Sequence, residues 1–173
     1  MKKKIQKSKL KEFLEGEKAS KEFIGWCEEP ELKNWQWMEI LQIHPFAFKY
    51  CDSSKFPGWS WACFLRKHPQ FSTHCDWEKL NHYHWSDLLI KQPQFAEFCD
   101  FKGFTGKDWA RLLMSQPQFS EYCNWNLLSG TNWIYLLVEQ PQFSEFCDWE
   151  KLSDLDKKLF SLISSQFIKY EEK

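Results

Sequence analysis

Cysteine and histidine are the side chains in this chain best suited to metal binding, disulfide formation or nucleophilic attack. Of the 7 cysteines, Cys27, Cys51, Cys75, Cys99, Cys123 and Cys147 fall 24 residues apart, and only Cys63 lies outside the series. A row of this kind suits neither a metal nor a disulfide. Tetrahedral zinc needs thiolates converging to about 2.3 Å from one point. A disulfide needs Cα atoms closer than about 7 Å, whereas helices packed side by side stand roughly 8–10 Å apart. The series is therefore expected to be small core thiols, each sharing a helix face with aromatic rings. Cys63 shares its slot with Glu39, Asp87, Arg111 and Tyr135, so it is expected at the surface.

The 5 histidines are His44, His68, His74, His82 and His84. His82 and His84 form an H-x-H pair that could hold a transition metal with a third ligand, and they are the weak metal candidates of the chain. Each histidine also has a structural reading. His44 and His68 fill a slot held elsewhere by Gln92, Gln116 and Gln140, His74 replaces an aromatic, and His84 falls at a helix-capping slot. Asp76, Asp100 and Asp148 read as caps, since acid–base work would need them to converge on a pocket. No Gly-rich phosphate loop, G-x-S-x-G elbow or H-E-x-x-H motif occurs. The expectation is a non-catalytic protein, with no cofactor, no metal and no small-molecule substrate implied.

Other residues keep the same 24-residue step: Trp37, Trp61, Trp85, Trp109 and Trp133; Pro45, Pro69, Pro93, Pro117 and Pro141; Phe71, Phe95, Phe119, Phe143 and Phe167. The shared motif is W-x-x-L-L-x-x-Q-P-Q-F-x-x-(F/Y)-C-(D/N)-W. In the frame 109–132, Trp109, Leu112 and Leu113 at i, i+3 and i+4 predict one face of a helix. Asp108 is the expected N-cap, as are Ser60, Asn132 and Asp156 elsewhere. Pro117 ends that helix and opens a second, on which Phe119, Tyr122 and Cys123 repeat the spacing. A single turn follows, with Trp125 and Leu128 three apart, and its form is open between 3₁₀ helix, turn and strand. Gly106 and Gly130 read as C-terminal punctuation. Gln70, Gln94, Gln118 and Gln142, each just after a proline, are expected to bridge to backbone of the next unit.

One such unit cannot bury its large side chains alone, so neighbours must cover them. These observations predict an all-α solenoid of short helices built from tandem 24-residue repeats, with degenerate capping units at both ends. Residues 1–36 form a basic N-terminal segment and capping repeat, 37–156 five tandem repeats, and 157–173 a C-terminal helical cap. Leu10, Phe13 and Leu14 line the opening helix. Leu159, Phe160, Leu162, Ile163, Phe167, Ile168 and Tyr170 are expected to cover the last unit, where Lys157 replaces the tryptophan. The period, and the proline between two short helices, resemble the leucine-rich repeat variant solenoids. The resemblance is one of architecture, and no functional residue is carried across.

The 173 residues are 43% hydrophobic and 27% charged, with a formal net charge of -1. That balance is globular and argues against a strongly basic nucleic-acid binder. No apolar run is long enough to span a bilayer. The start, Met1-Lys2-Lys3-Lys4, leads into charged residues and not the apolar stretch of a signal peptide, so a cytoplasmic location is expected. What varies on this constant frame is the slot holding Trp35, Trp59, Tyr83, Lys107 and Thr131, and the one holding Glu39, Cys63, Asp87, Arg111 and Tyr135. Trp35, Trp59, Tyr83, Arg111 and Tyr135 are the candidate protein-partner residues of an interaction module or scaffold. The aromatics among them form either an exposed strip or extra packing beneath the caps. An alternative function is single-stranded nucleic-acid binding, by stacking on that strip with the Lys2–Lys11 segment as electrostatic anchor.

Overall fold

Proline sets the length of every repeat helix, because the residue before it is forced out of the α region. In the computed structural model, which describes residues 2–171 and the side chains of 7–162, those residues are His44, His68, Gln92, Gln116 and Gln140. All five are C-caps with ψ between 64° and 72°. The helices are α1 (Lys2–Gly16), α2 (Lys21–Trp26), α3 (Asn34–Ile43), α4 (Gly58–Lys67), α5 (His82–Lys91), α6 (Gly106–Ser115), α7 (Gly130–Glu139) and α8 (Asp154–Glu171). Among the described residues there is no strand. The fold is an all-α solenoid of short helices repeating every 24 residues.

The second helix of each repeat is 3₁₀, not α: Pro45–Tyr50, Pro69–His74, Pro93–Phe98, Pro117–Tyr122 and Pro141–Phe146. Each runs for six residues and opens on the tighter i→i−3 bond, as from Phe119 N–H to the Gln116 carbonyl (3.2 Å). Cys123 is already extended (φ -73°, ψ 128°), so it does not share a helix face with Phe119 and Tyr122 as expected. Phe119 is buried, while Tyr122 sits at the rim. The third piece is 3₁₀ as well, at Ser53–Lys55, Trp77–Lys79, Trp125–Leu127 and Trp149–Lys151. In the remaining repeat it is a turn, in which Phe101 (φ 56°) and Gly103 (φ 75°) adopt left-handed backbone.

The helix starts lie earlier than the sequence reading placed them. Asp108, Asn132 and Asp156 are not N-caps but the third helical residues, and the caps are Thr105, Ser129 and Ser153. Each pair forms a reciprocal capping box. The Thr105 hydroxyl oxygen accepts from Asp108 N–H (3.3 Å) and the Asp108 carboxylate accepts from Thr105 N–H (2.9 Å). Ser60 holds the same third position in α4, behind Pro57, which has no N–H to offer in return.

Gly106 and Gly130 are likewise not terminators, because each is the first residue of a helix. A Cβ on Gly106 would collide with the Leu127 carbonyl oxygen and stand 2.9 Å from Asn132 Oδ1; on Gly130 it would stand 2.5 Å from Asp156 Oδ2. The next repeat presses its backbone or its capping side chain into the space the missing side chain leaves.

The glutamine bridge is made by the residue before the proline, not the one after it, and it runs to the preceding repeat, not the next. Gln116 donates to the Ile90 carbonyl and Gln140 to the Met114 carbonyl, both at 2.9 Å, one repeat back. Gln118 and Gln142 donate to the side-chain oxygens of Gln116 and Gln140 (2.7 and 2.6 Å) and hold them in place. Gln94 does the same to Gln92 (2.7 Å).

The chain divides into two compact units, Met1–Leu80 and Asn81–Lys173. In the first, Leu10 and Leu14 of α1 are fully buried, as are Ile40, Leu41 and Leu65. Phe48 stacks on Phe64 (centroids 5.5 Å apart, planes at 10°) and touches Phe71. In the second, Trp109, Leu112, Leu113, Trp133, Leu136 and Leu137 form the core. There the third-piece aromatic of each repeat is sandwiched by the next one: Phe101 lies between Trp109 and Tyr122, and Trp125 between Trp133 and Phe146. At the C-terminal end, Phe160 meets Trp149 edge-on at 5.8 Å. Leu159 and Leu162, expected to cover the last unit, are exposed together with Leu155; Leu155 and Leu159 continue the two outer slots of the repeat. Lys157 and Lys158 are exposed. The side chains of Ile163, Phe167, Ile168 and Tyr170 lie outside the described residues.

Candidate protein-binding surface

The second residue of each repeat helix and the residue four later share its outer face. Trp35, Trp59 and Tyr83 hold the first of these slots, with 49%, 41% and 54% of their surface exposed. Each of the three side chains is therefore exposed and not packed away beneath the caps, although Trp35 also touches the edge of Trp26 (5.4 Å). Trp35 and Trp59 occupy equivalent positions on α3 and α4, which pack together in the first unit. In the second unit, the Arg111 guanidinium lies 5.5 Å from the Tyr83 ring centroid and 3.3 Å from an Asp87 carboxylate oxygen. Tyr135 is more than half exposed on α7. Beside it α8 presents Leu155 and Leu159 in the same two slots, an apolar patch that the sequence reading did not single out.

His82 and His84 are engaged at helix starts. His82 Nδ1 is 2.8 Å from Asp108 Oδ2, and His84 Nδ1 accepts from Asn81 N–H at 3.3 Å. Burial lowers the pKa of His84 against the pull of Asp87. Asp108 is buried, and burial alone would raise its pKa. The hydrogen bonds from Thr105 and His82 outweigh that and hold the carboxyl below the usual range. Among the described residues no group of three His, Cys, Asp or Glu side chains could hold a metal ion.

Cys63 is exposed on α4, as its slot implied. The periodic thiols divide: Cys27 and Cys147 are buried, whereas Cys51, Cys75, Cys99 and Cys123 are half-buried, a correction to the core reading. They sit on the extended link after the 3₁₀ helix and not on a helix face. Burial pushes Cys51, Cys75 and Cys123 up to about 12 and Cys99 and Cys147 to about 11. Such thiols stay protonated at neutral pH and are poor nucleophiles.

Of the basic N-terminal segment, Lys7 donates to the Glu29 carbonyl and Lys11 pairs with Glu28 at 2.7 Å. The side chains of Lys2, Lys3 and Lys4 lie outside the described residues. No helix of the described residues is long and apolar enough to cross a membrane.

A second aromatic row went unread in the sequence. Phe98, Tyr122 and Phe146 are each about half exposed, and each ends a 3₁₀ helix of the second unit. Their 24-residue spacing was visible, but an α-helical reading turned them toward the core. Comparison with family models, with curated proteins and with solved structures finds no match in any of the three.

Proposed function

We propose that this protein is a non-catalytic interaction module that holds a protein partner on the outer face of its repeat helices. One observation carries the reading: a core repeated almost residue for residue supports exposed slots that change from Trp35 and Trp59 to Tyr83, Lys107, Thr131 and Leu155. Half-exposed Trp and Tyr on rigid helices supply large contact area with few rotamers to freeze, which is the composition of binding hot spots. The free thiols suit a reducing compartment, so the proposed setting is the cytoplasm.

The test uses the tagged full-length chain to isolate a partner, followed by direct titration of that partner once purified. Trp35→Ala with Trp59→Ala, and separately Tyr83→Ala with Tyr135→Ala, are expected to weaken binding by at least tenfold, with an unchanged helical circular dichroism spectrum. Unchanged affinity in both double variants would remove this face from the function.

A further inference from the structure

The row at Phe98, Tyr122 and Phe146 lies on the 3₁₀ side of the second unit and shares no residue with the outer helical face. We infer that it docks an extended, arginine-bearing segment of a partner protein. The rings are held firmly from below: Phe146 stacks on Trp125 at 4.8 Å with planes at 3°, and Tyr122 on Phe101 at 5.1 Å with planes at 18°. Each is preceded by an exposed carboxylate, at Glu97, Glu121 and Glu145. None of these three has a cationic partner among the described residues, whereas the nearby Asp100 and Asp148 are matched by Lys102 (3.3 Å) and Lys151 (3.7 Å). In the first unit the carboxylate slot holds Lys49 and Thr73, so the combination of ring and acid belongs to the second unit.

A half-exposed ring with an unmatched carboxylate on the preceding residue suits a guanidinium, which stacks on an aromatic face while its N–H groups reach for the acid. Arg111 makes this pair of contacts internally, where it covers Tyr83 and pairs with Asp87. Phosphate backbones and anionic lipid would be repelled by the same carboxylates. Spacing selects the conformation of the segment: neighbouring helices stand roughly 8–10 Å apart, and three residues of polyproline II cover about 9 Å. Arginine at every third position would meet successive repeats.

Fluorescence anisotropy of a labelled peptide of four Pro-Pro-Arg triplets, titrated with the full-length chain at low salt, tests this directly. Binding is expected, with the lysine version several-fold weaker. The triple variant Glu97→Gln, Glu121→Gln, Glu145→Gln should lose about tenfold in affinity. A control with the same change of net charge elsewhere, Glu12→Gln, Glu17→Gln, Glu22→Gln, should bind as the wild type does. Tyr122→Leu with Phe146→Leu should erase the preference for arginine over lysine, with circular dichroism confirming the fold. No binding by the wild type, equal loss in both triple variants, or an arginine preference that survives Tyr122→Leu with Phe146→Leu would each overturn the inference.

Discussion

Asp108 shows how one side chain can serve two repeats. Its carboxylate caps its own helix through Thr105 and also takes hydrogen bonds from His82 (2.8 Å) and Ser86 (3.3 Å) on the helix before. Because its pKa is depressed in the folded state, it contributes stability above the unfolded carboxylate value, near 4. That contribution is lost as pH falls through the folded value. Urea midpoints measured across acid pH should therefore fall more steeply for the wild type than for Asp108→Asn, whose amide keeps the capping geometry that Asn132 uses one repeat later. Parallel curves would show that the carboxylate is not what acid removes. The sequence carried the signal for this box in Thr105-Gly-Lys-Asp108. It was misread because Trp109 marks where the apolar face begins, whereas the helix begins three residues before it, in a turn with no apolar pattern.

At the scale of the element, periodicity of Trp, Leu and Pro made the first helix legible, along with its C-terminal end and its buried face. The second helix was misassigned because i, i+3 spacing serves α and 3₁₀ helices alike. Only hydrogen bonding separates them, and with that went the outward turn of Phe98, Tyr122 and Phe146. The outer slots at Trp35, Trp59 and Tyr83 were readable as slots, but exposure depends on what the neighbouring helix leaves uncovered. The glycines failed for a similar reason: Gly106 serves a close approach from Leu127 and Asn132 in the next repeat, and no local pattern records that. Gly106→Ala should cost about 1–3 kcal/mol by forcing α6 and the following repeat apart. Urea denaturation measures the loss, and a variant as stable as the wild type would show that the joint yields freely.

For the molecule as a whole, a repeat is the unit that can be removed, because its contacts are with its neighbours. Deleting residues 109–132 joins Asp108 to Trp133 in register, with Asp108 where Asn132 stood. That chain should keep its helical circular dichroism and a cooperative, weaker urea transition. Deleting only 109–120 places polar residues in core slots and should abolish cooperativity. If the two deletions behaved alike, the 24-residue step would not be the unit of folding.

The bridges between repeats run both ways. Gln116 reaches Ile90, Gln140 reaches Met114, Arg111 reaches Asp87, and Lys79 reaches the Ser54 carbonyl, each toward earlier chain. His82 and Ser86 reach forward instead, to Asp108. A ribosome releases the N-terminal end first, so the amide and cationic donors emerge to find their acceptors already made, whereas His82 and Ser86 gain theirs only when the following helix start has left the exit tunnel.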